Sequence, residues 1–185
     1  NATVNIEHCQ FRNAIAGLKC LSTPLSFISN TFMACDMGAY FKSQSFTIDR
    51  NLFHACDQGL TLLGRSNSTA ILLIRNVFSS NTKYGSRMKS ANVRMECNDW
   101  SYNKVGHKQQ NGSMSLGSYA GNTFTTNNQG IKFDELQSLS LNLGQNQFSN
   151  NAVFDIQGIF SSTAIVPHNG GHHFLSADYN SFSNS

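Results

Sequence analysis

The chain of 185 residues is long enough to bury one sizeable core, and its formal net charge of +3 gives no indication of a nucleic-acid partner. Charged residues are 12% of the sequence, about half of the ~25% usual in globular domains, but the 14 Phe residues recur at intervals and argue against a disordered low-complexity tract. No apolar run approaches the ~18 residues of a membrane-spanning helix, so no membrane span is expected.

From the N-terminus, an alternating segment (Val4-Asn5-Ile6) leads to Cys9, Phe11, a short turn ending in Gly17, and a second alternating segment (Leu18-Lys19-Cys20). The same order then returns. Asn30 precedes Phe32, with Gly38 after the turn. Phe46-Thr47-Ile48 precedes Asn51 and Phe53, and Gly59 opens Leu60-Thr61-Leu62. Asn76 and Phe78 follow, with one extra residue before Gly85. Val93-Arg94-Met95 leads to Asn98, Trp100 and Gly106. Asn122 and Phe124 precede Gly130 and Ile131-Lys132-Phe133. Leu141-Asn142-Leu143 leads to Asn146 and Phe148, where no glycine follows, and the last pair is Asn180 and Phe182. The aromatics are spaced by 21, 21, 25, 22, 24, 24 and 34 residues, and seven of the eight positions lying two before them are Asn.

Period-2 alternation marks short strands with one buried face. A unit of about 22 residues cannot bury its own apolar face, so units must stack. The expected fold is all-β, a right-handed parallel β-helix over residues 1–185, with about seven or eight coils of three short strands each. At a bend, backbone groups lose their ladder partners. An inward Asn amide can bond those groups and the Asn of the next coil, and Asn tolerates the left-handed conformation of sharp bends. Gly is expected to take that conformation at the third corner. The expected structural ladder is Asn30, Asn51, Asn76, Asn98, Asn122, Asn146 and Asn180. A second polar column runs through Asn81, Asn103, Asn127 and Asn151, with Cys35 and Cys56 in the same slot.

The Asn column, aromatic column and Gly corner together resemble the pectate-lyase-like parallel β-helix superfamily with its PbH1-type repeats, from Val4 to Phe182. The resemblance implies that the outer face of the strand after the Gly is a polysaccharide groove. The superfamily includes pectin lyases and hydrolases, epimerases, phage tailspikes and adhesins.

The outward position of that strand is read as Lys19, Tyr40, Thr61, Arg87, Lys108, Lys132 and Asp155, and the next adds Lys42 and Lys89. Six of the 13 Lys and Arg residues thus share one face. Such a stripe suits an acidic polysaccharide or cell-surface glycan. Lys19, Tyr40, Arg87, Lys108 and Lys132 are the binding candidates, with Arg87 able to hold a carboxylate bidentately and Tyr40 to stack on a sugar. The same stripe also serves simply to keep an exposed sheet soluble.

The catalytic candidates are Asp36 and Asp57, in one turn slot of adjacent coils, then Asp134, Glu135 and Asp155, with Arg87 as a base. Paired carboxylates could hold Ca²⁺ or share a proton, and the reactions considered are polysaccharide lysis and glycoside hydrolysis. No cofactor is required by these residues, and capping of turn amides is the commoner task of a turn Asp.

The longest interruption, 157–174, contains His168, His172 and His173, which are metal-ligand candidates without a supporting second cluster. The five cysteines form no C-x-x-C; Cys35 and Cys56 stack one coil apart, where a disulfide is within reach. The functional expectation is a carbohydrate-binding or carbohydrate-processing domain of a secreted or surface protein. The alternatives are a structural stalk, an adhesin passenger, or a section of a trimeric phage tailspike. Without capping helices, the solenoid ends call for flanking domains or a homotrimer to cover them.

Overall fold

The structure, a computed structural model, describes residues 4–21, 25–42, 46–64, 71–111, 113–116, 121–136, 138–141, 146–160 and 181–183. Successive coils are β1 (Val4–Glu7), β2 (Gln10–Arg12) and β3 (Ala16–Cys20); β4 (Leu25–Ile28), β5 (Thr31–Met33) and β6 (Met37–Lys42); β7 (Thr47–Asp49), β8 (Leu52–His54) and β9 (Gln58–Leu63); β10 (Ile71–Ile74), β11 (Val77–Ser79) and β12 (Tyr84–Lys89); and β13 (Val93–Glu96), β14 (Asp99–Ser101) and β15 (Val105–Gln110). The strands continue as β16 (Ser113–Leu116), β17 (Thr123–Thr125), β18 (Gln129–Leu136), β19 (Ser138–Leu141), β20 (Gln147–Ser149), β21 (Phe154–Phe160) and β22 (Ser181–Ser183). They form three sheets of seven, eight and seven strands, each pairing parallel with its counterpart one coil away. This is a parallel β-helix, consistent with right-handed winding. Each sheet takes one strand from each successive coil. Beyond Asn111 the described residues are strands that extend the same three sheets.

The Asn ladder explains how the coils lock. Asn51 donates its backbone N–H to Asn76 Oδ1 at 2.9 Å, and its Nδ2 donates to the same oxygen at 3.1 Å and to Phe27 O of the preceding coil at 3.0 Å. Asn76 repeats this toward Asn98 Oδ1 and Ile48 O, and Asn98 toward Asn122 Oδ1 and Leu73 O. Each amide therefore uses both donors, and its oxygen accepts twice, which is its full capacity. Asn30 to Asn146 are at most 1% exposed. The second column, Asn81, Asn103, Asn127 and Asn151, makes the same pattern at the other bend. Asn180 lies outside the described residues.

Two expectations about the bends are corrected. The left-handed residue is the one before each ladder Asn: His8, Ser29, Arg50, Arg75 and Cys97 have φ of 54–57°. The ladder Asn residues are not among the positive-φ residues, and their side chains are buried in the core. At the second bend Ala34, Ala55, Ser80, Tyr102 and Thr126 do the same. The corner glycines are needed for space and not for positive φ, which among the described glycines occurs at Gly121 alone. A Cβ on Gly85 would lie 2.7 Å from Gly106 O and 2.8 Å from the Trp100 ring.

Those rings fill the core. Phe11, Phe32, Phe53, Phe78, Trp100, Phe124 and Phe148 form one continuous stack, with centroids 4.5–5.1 Å apart and planes within 10°. Each coil thus adds one ring, so ring stacking and strand pairing share one repeat. Replacing Asn76 by Ala strands the Asn51 N–H and Ile48 O in the core, each at ~1–3 kcal/mol. The expected loss is about 3 kcal/mol by denaturant unfolding, against little change for Ala at the exposed Gln147.

One core segment is polar. Trp100 Nε1 donates to Ser86 Oγ at 2.8 Å, and that oxygen lies 2.8 Å from His107 Nδ1. The serine hydroxyl bonds Nδ1 as donor or as acceptor according to the imidazole tautomer. Nε2 and Gln109 Oε1 are both buried without a well-formed partner. Burial holds the His107 pKa down at about 3, and the Gln109 side chain offsets only part of this. Below pH ~6.5 the unfolded chain takes up a proton that the folded chain refuses, so stability falls as the pH drops toward 3. Between pH 7 and 4.5 the expected loss is about 3 kcal/mol. Chemical denaturation across that range should show it, and a His107→Gln variant should show a shallower fall. Parallel curves for the two proteins would remove His107 as the cause.

Candidate functional site

The third sheet, β3 to β21, presents the stripe expected from the sequence. Lys19, Tyr40, Thr61, Arg87, Lys108 and Lys132 stand opposite one another in consecutive strands. Asp155 is not in that row: Lys132 pairs with Gln157. With no glycine after Phe148, the final turn is built differently, and Asp155 instead accepts from Asn151 Nδ2 at 2.7 Å. A second row holds Lys42, Leu63, Lys89, Gln110 and Asp134.

The two rows interact unevenly along the solenoid. Toward the C-terminal coils Lys108 is neutralised by Asp134 at 2.7 Å. Arg87 donates Nε and Nη2 to Gln110 Oε1 at 3.1 and 2.7 Å. That neutral partner orients the guanidinium and leaves its charge uncompensated. Arg87 and Lys108 also sit 5.6 and 5.7 Å from the Tyr84 ring centre, and Lys19 is 6.0 Å from that of Tyr40. Toward the N-terminal coils, Tyr40, Lys42, Thr61, Leu63, Arg87 and Lys89 line an open groove of about 480 Å³. Lys42 and Lys89 flank Leu63 there, and among the described residues neither has an ion-pair partner.

The carboxylates do not converge on this groove. Asp36 and Asp57 stand at the bend before the third sheet, in equivalent slots. Asp57 accepts from Lys83 Nζ at 2.6 Å and from Thr82 Oγ1, and Lys83 is the main reason its pKa is lowered. It is thus a paired, ionised carboxylate and a poor proton donor. Asp134 is committed to Lys108 and Asp155 to Asn151. The Glu135 side chain, and His168, His172 and His173, fall outside what the structure describes. Among the described residues no group of three or more His, Cys, Asp or Glu is placed to hold a metal ion. All five cysteines are free thiols, with Cys35 and Cys56 buried.

Sequence reading missed Tyr84, Gln110 and Lys83. The extra residue in the Phe78–Gly85 turn was the available signal for the first and last, because an inserted residue changes what the turn presents.

The three-sheet parallel solenoid with two amide ladders defines a parallel β-helix of the PbH1 type. A family model described as "Periplasmic copper-binding protein (NosD)" matches residues 2–165, and the chain belongs to that family. The description is compatible with the expected location outside the cytoplasm. No curated protein matches the chain, and no solved structure matches it. Among the described residues no helix is long and apolar enough to cross a membrane.

Proposed function

We propose that this protein is a glycan-binding β-helix domain acting outside the cytoplasm, and that the groove at Tyr40, Lys42, Arg87 and Lys89 takes an acidic polysaccharide. The observation that carries this reading is the convergence of three uncompensated cations and an aromatic ring on one groove of the third sheet. Coils repeat at ~4.8 Å along the axis, so Lys42 and Lys89, two coils apart on either side of Leu63, are spaced to meet charged groups well separated along an extended chain. Binding is favoured over cleavage because the described candidate acids are engaged elsewhere or stand at the bend. A stalk or adhesin passenger would have no need for such a groove.

The test is affinity for polygalacturonate and for a neutral glucan at low and high salt. Acidic-chain binding that weakens with salt supports the reading. A Lys42→Ser/Lys89→Ser variant should bind about tenfold more weakly, equal to ~1.4 kcal/mol, with unchanged thermal stability. A Lys108→Ser variant should lose less, since Lys108 is already neutralised by Asp134. Equal binding by wild type and the double variant would overturn the assignment.

The family description favours a second reading, that the protein binds copper. Among the described residues the imidazole and carboxylate clusters suited to Cu(II) are missing. The donors that the fold does stack are the Cys35 and Cys56 thiols, soft ligands whose chemistry fits Cu(I). One equivalent of Cu(I) retained by the reduced chain against a competing chelator supports this reading, and none retained removes it.

A further inference from the structure

Adjacent coils carry the same block, Ala34-Cys35-Asp36 and Ala55-Cys56-Asp57. In the fold both cysteines occupy the slot that Asn81, Asn103, Asn127 and Asn151 fill further along. They are 2% and 1% exposed. The thiols do only part of what the amides do. Asn81 reaches back to Phe53 O at 3.1 Å and on to Asn103 Oδ1 at 2.8 Å, whereas Cys35 Sγ reaches back to Phe11 O only at 3.8 Å and otherwise rests 3.5 Å from Met33 O, and Cys56 Sγ lies 3.5 Å from His54 O. Stability alone would favour Asn in both places, because a completed amide ladder satisfies more buried backbone. A repeated break in a local rule, at two neighbouring positions of an otherwise regular ladder, marks a site with another task.

Resting on the copper reading above, we propose that Cys35 and Cys56 form a two-coordinate thiolate site for a soft monovalent cation, Cu(I), bridging two coils. The span fits. Equivalent atoms of adjacent coils lie ~4.8 Å apart, and two metal–thiolate bonds of ~2.3 Å laid end to end cover nearly that distance. A disulfide needs sulfurs ~2.05 Å apart and would have to draw the coils' side chains together. Loading releases two protons to solvent, one from each thiol, and leaves a bis-thiolate complex of net charge −1. Outside the pair the bend carries only methyl groups, Ala34 and Ala55, both exposed, where later coils carry Ser80, Tyr102 and Thr126. Asp36 and Asp57 follow the two cysteines in sequence, Asp36 exposed and Asp57 already paired with Lys83.

The full chain, reduced under nitrogen, is titrated with Cu(I) against a competing chelator and examined at the copper K-edge. One equivalent with two sulfur neighbours is expected. Cys35→Ser/Cys56→Ser should lose it, and Cys9→Ser/Cys20→Ser/Cys97→Ser should keep it. Cys35→Asn/Cys56→Asn completes the ladder, so it should melt no lower than wild type and still bind no copper. If wild type binds Cu(I) and the Asn variant binds it equally, the site is elsewhere and the copper reading survives. Nitrogen or oxygen neighbours at the bound copper also overturn the site. If wild type retains no Cu(I), both fail.

Discussion

Everything in this molecule depends on a buried asparagine amide at a bend. The bend puts a non-glycine residue such as Arg50 or Arg75 into the left-handed region, at roughly 1–2 kcal/mol, and breaks the strand ladder on either side. The next residue offsets this by turning an amide inward that makes four hydrogen bonds across three coils, two accepted from Asn30 and two donated to Phe27 O and Asn76 Oδ1 in the case of Asn51. Because each Asn serves both the coil before it and the coil after it, no coil can rotate or slip without breaking several buried bonds at once.

Fixed register has consequences on both faces of the coil. Inside, it brings one aromatic ring per coil into a continuous stack and forces glycine where the chain passes over a ring. Outside, it aligns side chains of like position into rows. The row on the third sheet is cationic over much of its length, yet it is not uniform. Asp134 quenches it at one end, and Gln110 merely orients Arg87 near the middle. The effective binding surface is thus shorter than the stripe, and it lies where Lys42 and Lys89 flank Leu63.

Much of this was legible in the sequence, because each repeat encodes its fold locally. Alternation marked the strands, and the Asn-x-aromatic pairs marked the first bend. What failed has a physical origin in each case. The left-handed residue is the one before the Asn, whose own side chain is turned into the core. Glycine was read as a conformational necessity, but proximity to Trp100 or Phe53 demands it. Asp155 left its assigned row because the turn after Phe148 lacks the glycine that sets register in the others. The polar core segment of Ser86, His107 and Gln109 was invisible to a pattern that reads only apolar alternation. The Cys35 and Cys56 slot was visible, but its meaning needed the amide geometry of Asn81 beside it.

The most direct measurement is native-state hydrogen exchange at the backbone amides of Asn30, Asn51, Asn76 and Asn98, each of which donates to the side chain of the next ladder Asn. If the ladder is what holds the coils, these bend amides exchange only through global unfolding, as slowly as the amides at the centre of the sheets. Exchange at the rate of the exposed bend residues, while the sheets stay protected, would show that strand pairing and ring stacking hold the solenoid without it.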